Sequence, residues 1–105
     1  MRTAYGTSNS TASSVATILY STDTNARMFS ITVRARAGNN AAMYFGNDSN
    51  VSSTNGFELT AGKELSISAA SISENTIPAS LKAHNFTVSG GNTADFVDWF
   101  MLLET

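Results

Sequence analysis

Residues 28–37, MFSITVRARA, alternate with a period of two. Phe29, Ile31, Val33 and Ala35 fall on one side; Ser30, Thr32, Arg34 and Arg36 fall on the other. That period is the side-chain repeat of a β-strand. One apolar side and one polar side describe a strand buried on a single face, as antiparallel sheets commonly use. Gly38-Asn39-Asn40 follows with turn-forming residues and ends the run.

Shorter segments repeat the theme. Val15–Tyr20 is a brief apolar run, and Ala42–Phe45 is apolar on both sides. Phe57 and Leu59, Leu65 and Ile67, and Phe86 and Val88 each alternate with polar neighbours. Turn chemistry separates them at Gly46–Asn50, Ser52–Gly56, Ala61-Gly62 and Gly90-Gly91-Asn92. In the loop over 70–80, Thr76 ahead of Ile77-Pro78 is placed to start one helical turn through Ala83. Seven or eight short strands with turns between them predict an all-β protein, an antiparallel β-sandwich or small jelly roll, in one domain over residues 15–105. Its expected core is Phe29, Ile31, Val33, Phe57, Leu59, Leu65, Ile67, Phe86 and Val88.

The segment Asp95–Leu103, DFVDWFMLL, fits two patterns. As a helix it aligns Phe96, Phe100 and Leu103, with Thr93 as cap. As a strand it sets Val97, Trp99, Met101 and Leu103 against Phe96, Asp98, Phe100 and Leu102. The Gly-Gly-Asn turn favours the strand, as the second arm of a hairpin. Either way apolar residues remain on two sides, and a domain of this size has one core. The second side is expected to meet another polypeptide, through Phe96, Trp99, Phe100, Met101 and Leu102 together with Tyr5.

Composition removes several function classes. The chain of 105 residues has no Cys, so a thiol nucleophile, a disulfide scaffold and a Cys-based zinc site are excluded. A formal charge of −2 argues against a nucleic-acid binder, and no apolar run approaches the roughly 20 residues of a membrane-spanning helix. The start, MRTAYGTSNSTASS, lacks the apolar stretch of a secretory leader. Residues 1–14 read instead as a flexible N-terminal arm, either a frayed terminus or a segment that orders on a partner. Ser, Thr and Asn make up 38 of the 105 residues while charged residues are only 13%. Neutral polar residues of this kind suit the exposed faces of sheets.

No catalytic, cofactor or metal site is expected, and the chain reads as a non-enzyme. His84, the sole histidine, has no G-x-S-x-G elbow to accompany it. Asp95 and Asp98 match no paired-carboxylate signature. Gly46–Asn50 spaces oxygen ligands like a calcium loop but lacks the central Gly and distant Glu of that motif, so a self-bonded Asx turn is expected. Four N-x-[ST] sequons, at Asn9, Asn47, Asn50 and Asn85, are about what chance supplies. Arg34 and Arg36 share a polar strand face that reads as solvated, with pairing to Glu58 and Glu64 or to carboxylates of a neighbouring subunit as the alternatives. Tyr44 and Trp99 are core aromatics or a sugar-binding surface.

The segment YFGNDSNVSSTNGFELTAGKELSI, Tyr44–Ile67, resembles a pattern in small β-sandwich virion proteins of tailed bacteriophages. The pattern is an aromatic-x-Gly strand end, an isolated Val, a Ser/Thr-rich loop, a Gly-aromatic-x-Leu strand and a short turn into another alternating strand. The resemblance extends loosely over residues 28–103. It implies a capsid decoration (cement) protein on the virion exterior, assembled in the host cytoplasm. Its partners would be the major capsid protein and further copies of itself, a trimer by analogy, with no nucleic acid or membrane bound. The alternative in the same family is a glycan- or receptor-recognition module of a head or tail fibre.

Overall fold

The computed structural model describes residues 2–9, 16–68, 82–92 and 94–104. Its strands are β1 (Arg2–Ser8), β2 (Thr17–Ile18), β3 (Met28–Ala35), β4 (Met43–Gly46), β5 (Phe57–Leu59), β6 (Glu64–Ser68), β7 (Thr87–Gly90) and β8 (Val97–Leu103). Two four-stranded sheets result, ordered β1-β8-β3-β6 and β2-β7-β4-β5, and each pairing is antiparallel. First pairs with last, second with seventh, third with sixth and fourth with fifth. A long antiparallel hairpin rolled over on itself gives this order, the jelly-roll form of a β-sandwich.

The core lies between the sheets. Met28, Ile31, Val33 and Ala35 of β3 and Val97, Met101 and Leu103 of β8 meet Met43, Phe45, Leu59 and Val88 from the opposite sheet. Phe45 and Phe86 stack at 5.7 Å between centroids, and Trp99 meets Tyr20 edge-on at 6.3 Å. Each fully buried aliphatic side chain contributes roughly 1.5–3 kcal/mol, so β3 and β8 carry much of the stability.

Four expected core positions shift. Phe29 is only half-buried because β3 carries a bulge: Met28 faces Leu103 while Ser30 faces Leu102, leaving Phe29 as the extra residue. The bulge exchanges the faces, so Met28 takes the buried place that strict alternation assigns to Phe29. Phe57 is exposed on edge strand β5, under the Lys63 ammonium at 4.9 Å. Leu65 and Ile67 pack against the core only partly, because β6 is also an edge. Ile31, Val33, Leu59, Phe86 and Val88 are buried as expected.

The N-terminal segment belongs to the sheet. Arg2–Ser8, expected within a flexible arm over 1–14, pair with β8 along their whole length, from Arg2 opposite Leu103 to Ser8 opposite Val97. Gly6 permits this closeness: a Cβ there would sit 2.8 Å from Cζ2 of Trp99. The indole lies beneath β1 and donates its Nε1–H to Ser8 Oγ at 3.2 Å. Met1 and residues 10–14 of the expected arm lie outside the described residues, as does the helical turn expected from Thr76 up to residue 81. A 3₁₀ turn is present at Ala83–Asn85. Asp95–Leu103 resolves as the strand reading, entered through a turn with Gly90 and Gly91 at φ 79° and 77°.

Candidate functional site

The outer face of β1-β8-β3-β6 is a grid whose rows follow from the strand register. One row is Thr7, Asp98, Arg34 and Glu64; the next is Tyr5, Phe100, Thr32 and Ser66; the third is Thr3, Leu102, Ser30 and Ser68. The face is open, with a concavity of about 570 Å³ over the first two rows. Tyr5 is 77% exposed and Phe100 45% exposed, side by side on neighbouring strands. Beside them Thr32 and Ser66 hydroxyls bond to each other at 2.9 Å.

Asp98 organises the polar row. Arg36 grips it with a two-pronged fork, Nε to Oδ2 at 3.1 Å and Nη2 to Oδ1 at 2.9 Å. Thr7 Oγ1 donates to Oδ1 at 2.8 Å, and Arg34 lies 3.5 Å away. The Arg36 hydrogen bonds hold the Asp98 carboxyl below its ordinary range, with smaller help from Thr7. Asp98 in turn raises Arg36. The Arg36 guanidinium also lies over the Phe96 ring at 5.4 Å. Arg34 and Arg36 thus take Asp98 as their shared partner while staying on a solvated face; Glu64 lies opposite Arg34 in the register, and Asp98 is a partner the sequence reading does not name. Two cations, Arg34 and Arg36, balance two anions, Asp98 and Glu64, on this face. A carboxylate so held stays ionised at neutral pH.

Of the residues expected at an interface, Tyr5 and Phe100 are exposed on this face and Leu102 is half-buried on it. Phe96 is half-buried under Arg36. Trp99 and Met101 are corrected: they point inward, at 9% and 0% exposure, and belong to the chain's own core. Alternation along β8 dictates that split. It also separates Trp99 from Tyr44, which lies on β4 in the other sheet, so the two do not form one sugar platform.

The remaining candidates lie elsewhere. His84, in the 3₁₀ turn, lines a separate concavity with Asp48 and Ser49. Among the described residues no hydrogen bond joins it to a serine or aspartate, and its Nδ1 is buried without a partner. Asp48 Oδ1 accepts from Asn50 N–H at 2.8 Å, the Asx turn expected at the calcium-like loop. No group of three or more His, Cys, Asp or Glu able to hold a metal occurs among the described residues.

Asp95 was absent from the expected sites. It is fully buried, and its carboxylate accepts from the backbone N–H of Asn40 (2.8 Å), Ala41 (3.1 Å) and Asn92 (2.8 Å). These bonds, Asn40's first, lower its pKa against the opposing effect of desolvation. Asn39 adds a side-chain mimic of a strand, donating to the Phe96 carbonyl and accepting from its N–H, both at 2.9 Å. The clasp fixes where β8 begins, and hence the height of Asp98 and Phe100 on the outer face. Compared with family models, curated proteins and solved structures, the chain matches none.

Proposed function

We propose that this chain is a structural, non-catalytic protein of a virus particle, which decorates the capsid by docking the outer face of β1-β8-β3-β6 onto the major capsid subunits. The observation that carries the reading is the exposed Tyr5–Phe100 pair on an open sheet face whose charges balance and whose other positions are largely hydroxyls. Aromatic anchors inside a polar rim are the composition of protein-binding surfaces. The jelly-roll strand order supports it by analogy, since capsid domains use that architecture, although architecture alone does not assign function.

The test is mass spectrometry and electron cryomicroscopy of particles produced by the genome that encodes this chain. The expected result is the chain at high copy number on the outer capsid surface, and its loss from particles carrying Phe100→Ser. Its absence from the particles refutes the reading, as does full retention of the Phe100→Ser chain. Confinement to a fibre or tail tip would replace decoration with the recognition-module alternative.

A further inference from the structure

β1 is an edge strand of seven residues, and which of its backbone groups face outward follows from bonds further into the sheet. Arg36 N–H donates to the Phe96 carbonyl at 3.1 Å, and Glu104 N–H donates to the Arg27 carbonyl at 2.9 Å. These bracket the two ends of the β3/β8 ladder. Along an antiparallel strand, successive residues bond to neighbours on alternate sides. Even-numbered residues of β8 therefore bond to β3, and odd-numbered ones to β1. Their β1 partners are Arg2, Ala4, Gly6 and Ser8. The N–H and C=O groups of Thr3, Tyr5 and Thr7 are left pointing out along the open edge. Among the described residues no hydrogen bond reaches them.

Among the described residues this edge carries few of the usual protections. It contains no Pro and no Lys, and its single charge, Arg2, sits at the end, 3.4 Å from Asp23. The sequence Thr3-Ala4-Tyr5-Gly6-Thr7 is also close to a palindrome: Thr, small, Tyr, small, Thr. Reversal about Tyr5 sets like against like, and the outward-bonding residues are the Thr, Tyr and Thr of that palindrome.

We propose that two copies of this chain pair through their β1 edges, antiparallel about a two-fold axis at Tyr5, into one continuous eight-stranded sheet. Tyr5 then lies opposite its own copy, and Thr3 opposite the partner's Thr7. Three residue pairs each exchange two N–H···O bonds. Ala4 lies opposite the partner's Gly6, so no bulky side chain obstructs the inner side. On the outer side the two Tyr5–Phe100 pairs join in one aromatic row. Tyr5, 77% exposed in the single chain, is covered by its copy on the edge side only. The contact is isologous and closes on itself. Its product is a dimer in place of the trimer implied by the resemblance to decoration proteins. Both outer faces remain uncovered and point the same way, so the pairing stands or falls apart from capsid docking.

The chain has no native Cys, so single-cysteine variants report the register. Tyr5→Cys is expected to oxidise to a covalent dimer. Opposed residues of a hydrogen-bonded pair have Cα atoms about 5.5 Å apart, within disulfide range. Thr3→Cys alone is expected to stay uncrosslinked, because two copies of residue 3 lie four positions apart, about 14 Å. Mixed with Thr7→Cys, it is expected to crosslink. In sedimentation the native chain runs as a dimer and Tyr5→Pro as a monomer, since Pro removes an edge N–H that β8 does not use. Should Tyr5→Pro fail to fold, Tyr5→Lys gives the same readout by placing like charges face to face. A monomeric native chain at micromolar concentration overturns the proposal. So does Thr3→Cys self-crosslinking as readily as Tyr5→Cys, or a dimer that survives both Tyr5 variants.

Discussion

Truncating two consecutive residues of β8 separates what this strand does inside the sandwich from what it does outside. Met101 is 0% exposed and Phe100 is 45% exposed. Met101→Ala deletes three heavy atoms, which at about 0.8 kcal/mol each amounts to about 2.4 kcal/mol of lost transfer energy. A cavity term adds to this because the facing side chains close in only partly, bringing the expected cost to about 3–4 kcal/mol, within the range for buried Met→Ala. Phe100→Ala removes a larger side chain from a surface position. Its expected cost is at most about 1 kcal/mol, mainly the cross-strand contact with Tyr5. Urea unfolding at one fixed protein concentration measures both, the fixed concentration being needed because the proposed pairing of copies would add to apparent stability. In thermal melts the Met101 loss corresponds to about 12–30 °C, at roughly 4–8 °C per kcal/mol. Equal costs for the two variants, or a harmless Met101→Ala, would refute the assignment of faces along β8. The placement of Asp98 and Phe100 on the outer surface would fall with it.

Two further outcomes follow from the same geometry. Gly6→Ala puts a methyl 2.8 Å from the Trp99 ring, so the indole must move away from Ser8; a red-shifted Trp99 emission and a lowered urea midpoint are expected, and unchanged emission would contradict the close approach. Acid acts through Asp98 and Asp95, whose folded pKa values lie below their unfolded ones. Their stabilisation is complete above the unfolded aspartate value of about 3.9 and is lost as pH falls through the folded values. The urea midpoint should therefore hold from neutral pH to about 5 and drop below about 4, with a shallower drop in Asp98→Asn; a midpoint that stays level through that range counts against both carboxylate clusters.

Much of the sandwich is legible in the sequence because one-face burial writes itself as alternation. Ile31, Val33, Leu59 and Val88 are in the core, and β8 is a strand behind its Gly-Gly turn. The errors have local causes. A bulge is one extra residue with no compositional mark, so Phe29 and Met28 exchange places. β1 has no large apolar inward side chain to announce it: Gly6 leaves room for Trp99, and Ala4 lies opposite Met101. Two apolar sides on the last segment suggest an interface, but most of that apolar surface covers the chain's own core. Only the outward-facing remainder, with Phe100 most exposed, is left for a partner. The Asp98 cluster depends on which strand lies beside which. Arg36 and Asp98 are 62 residues apart, and Thr7 and Asp98 are 91 apart, separations that alternation within single strands does not address.

The neutral polar composition has a physical use that the topology exposes. A jelly roll folds its loops into two ends, where backbone groups leave the ladders and need new partners. Here short Asx and hydroxyl side chains supply many of them. Asp23 accepts from Asn25 N–H (2.9 Å), Asp48 from Asn50 N–H (2.8 Å), and Asn55 from Ser52 N–H (2.7 Å). Asn39 bonds both backbone groups of Phe96 just ahead of β8. Asp95 ties the β3–β4 loop to the β7–β8 turn. Short side chains do this with little rotamer entropy to lose, whereas Lys or Glu in the same places would lose more on ordering. The outer face of β1-β8-β3-β6 sets its hydroxyls and two aromatics beside a single charged row, whose cations and anions balance. Hydroxyls and charges already paired within the face lose less on being covered than unpaired charges would, as long as they keep or find hydrogen-bond partners. Loop closure and the proposed docking would therefore draw on the same neutral polar composition, and substitutions that add unpaired charge to the outer rows are expected to weaken the proposed docking before they weaken the fold.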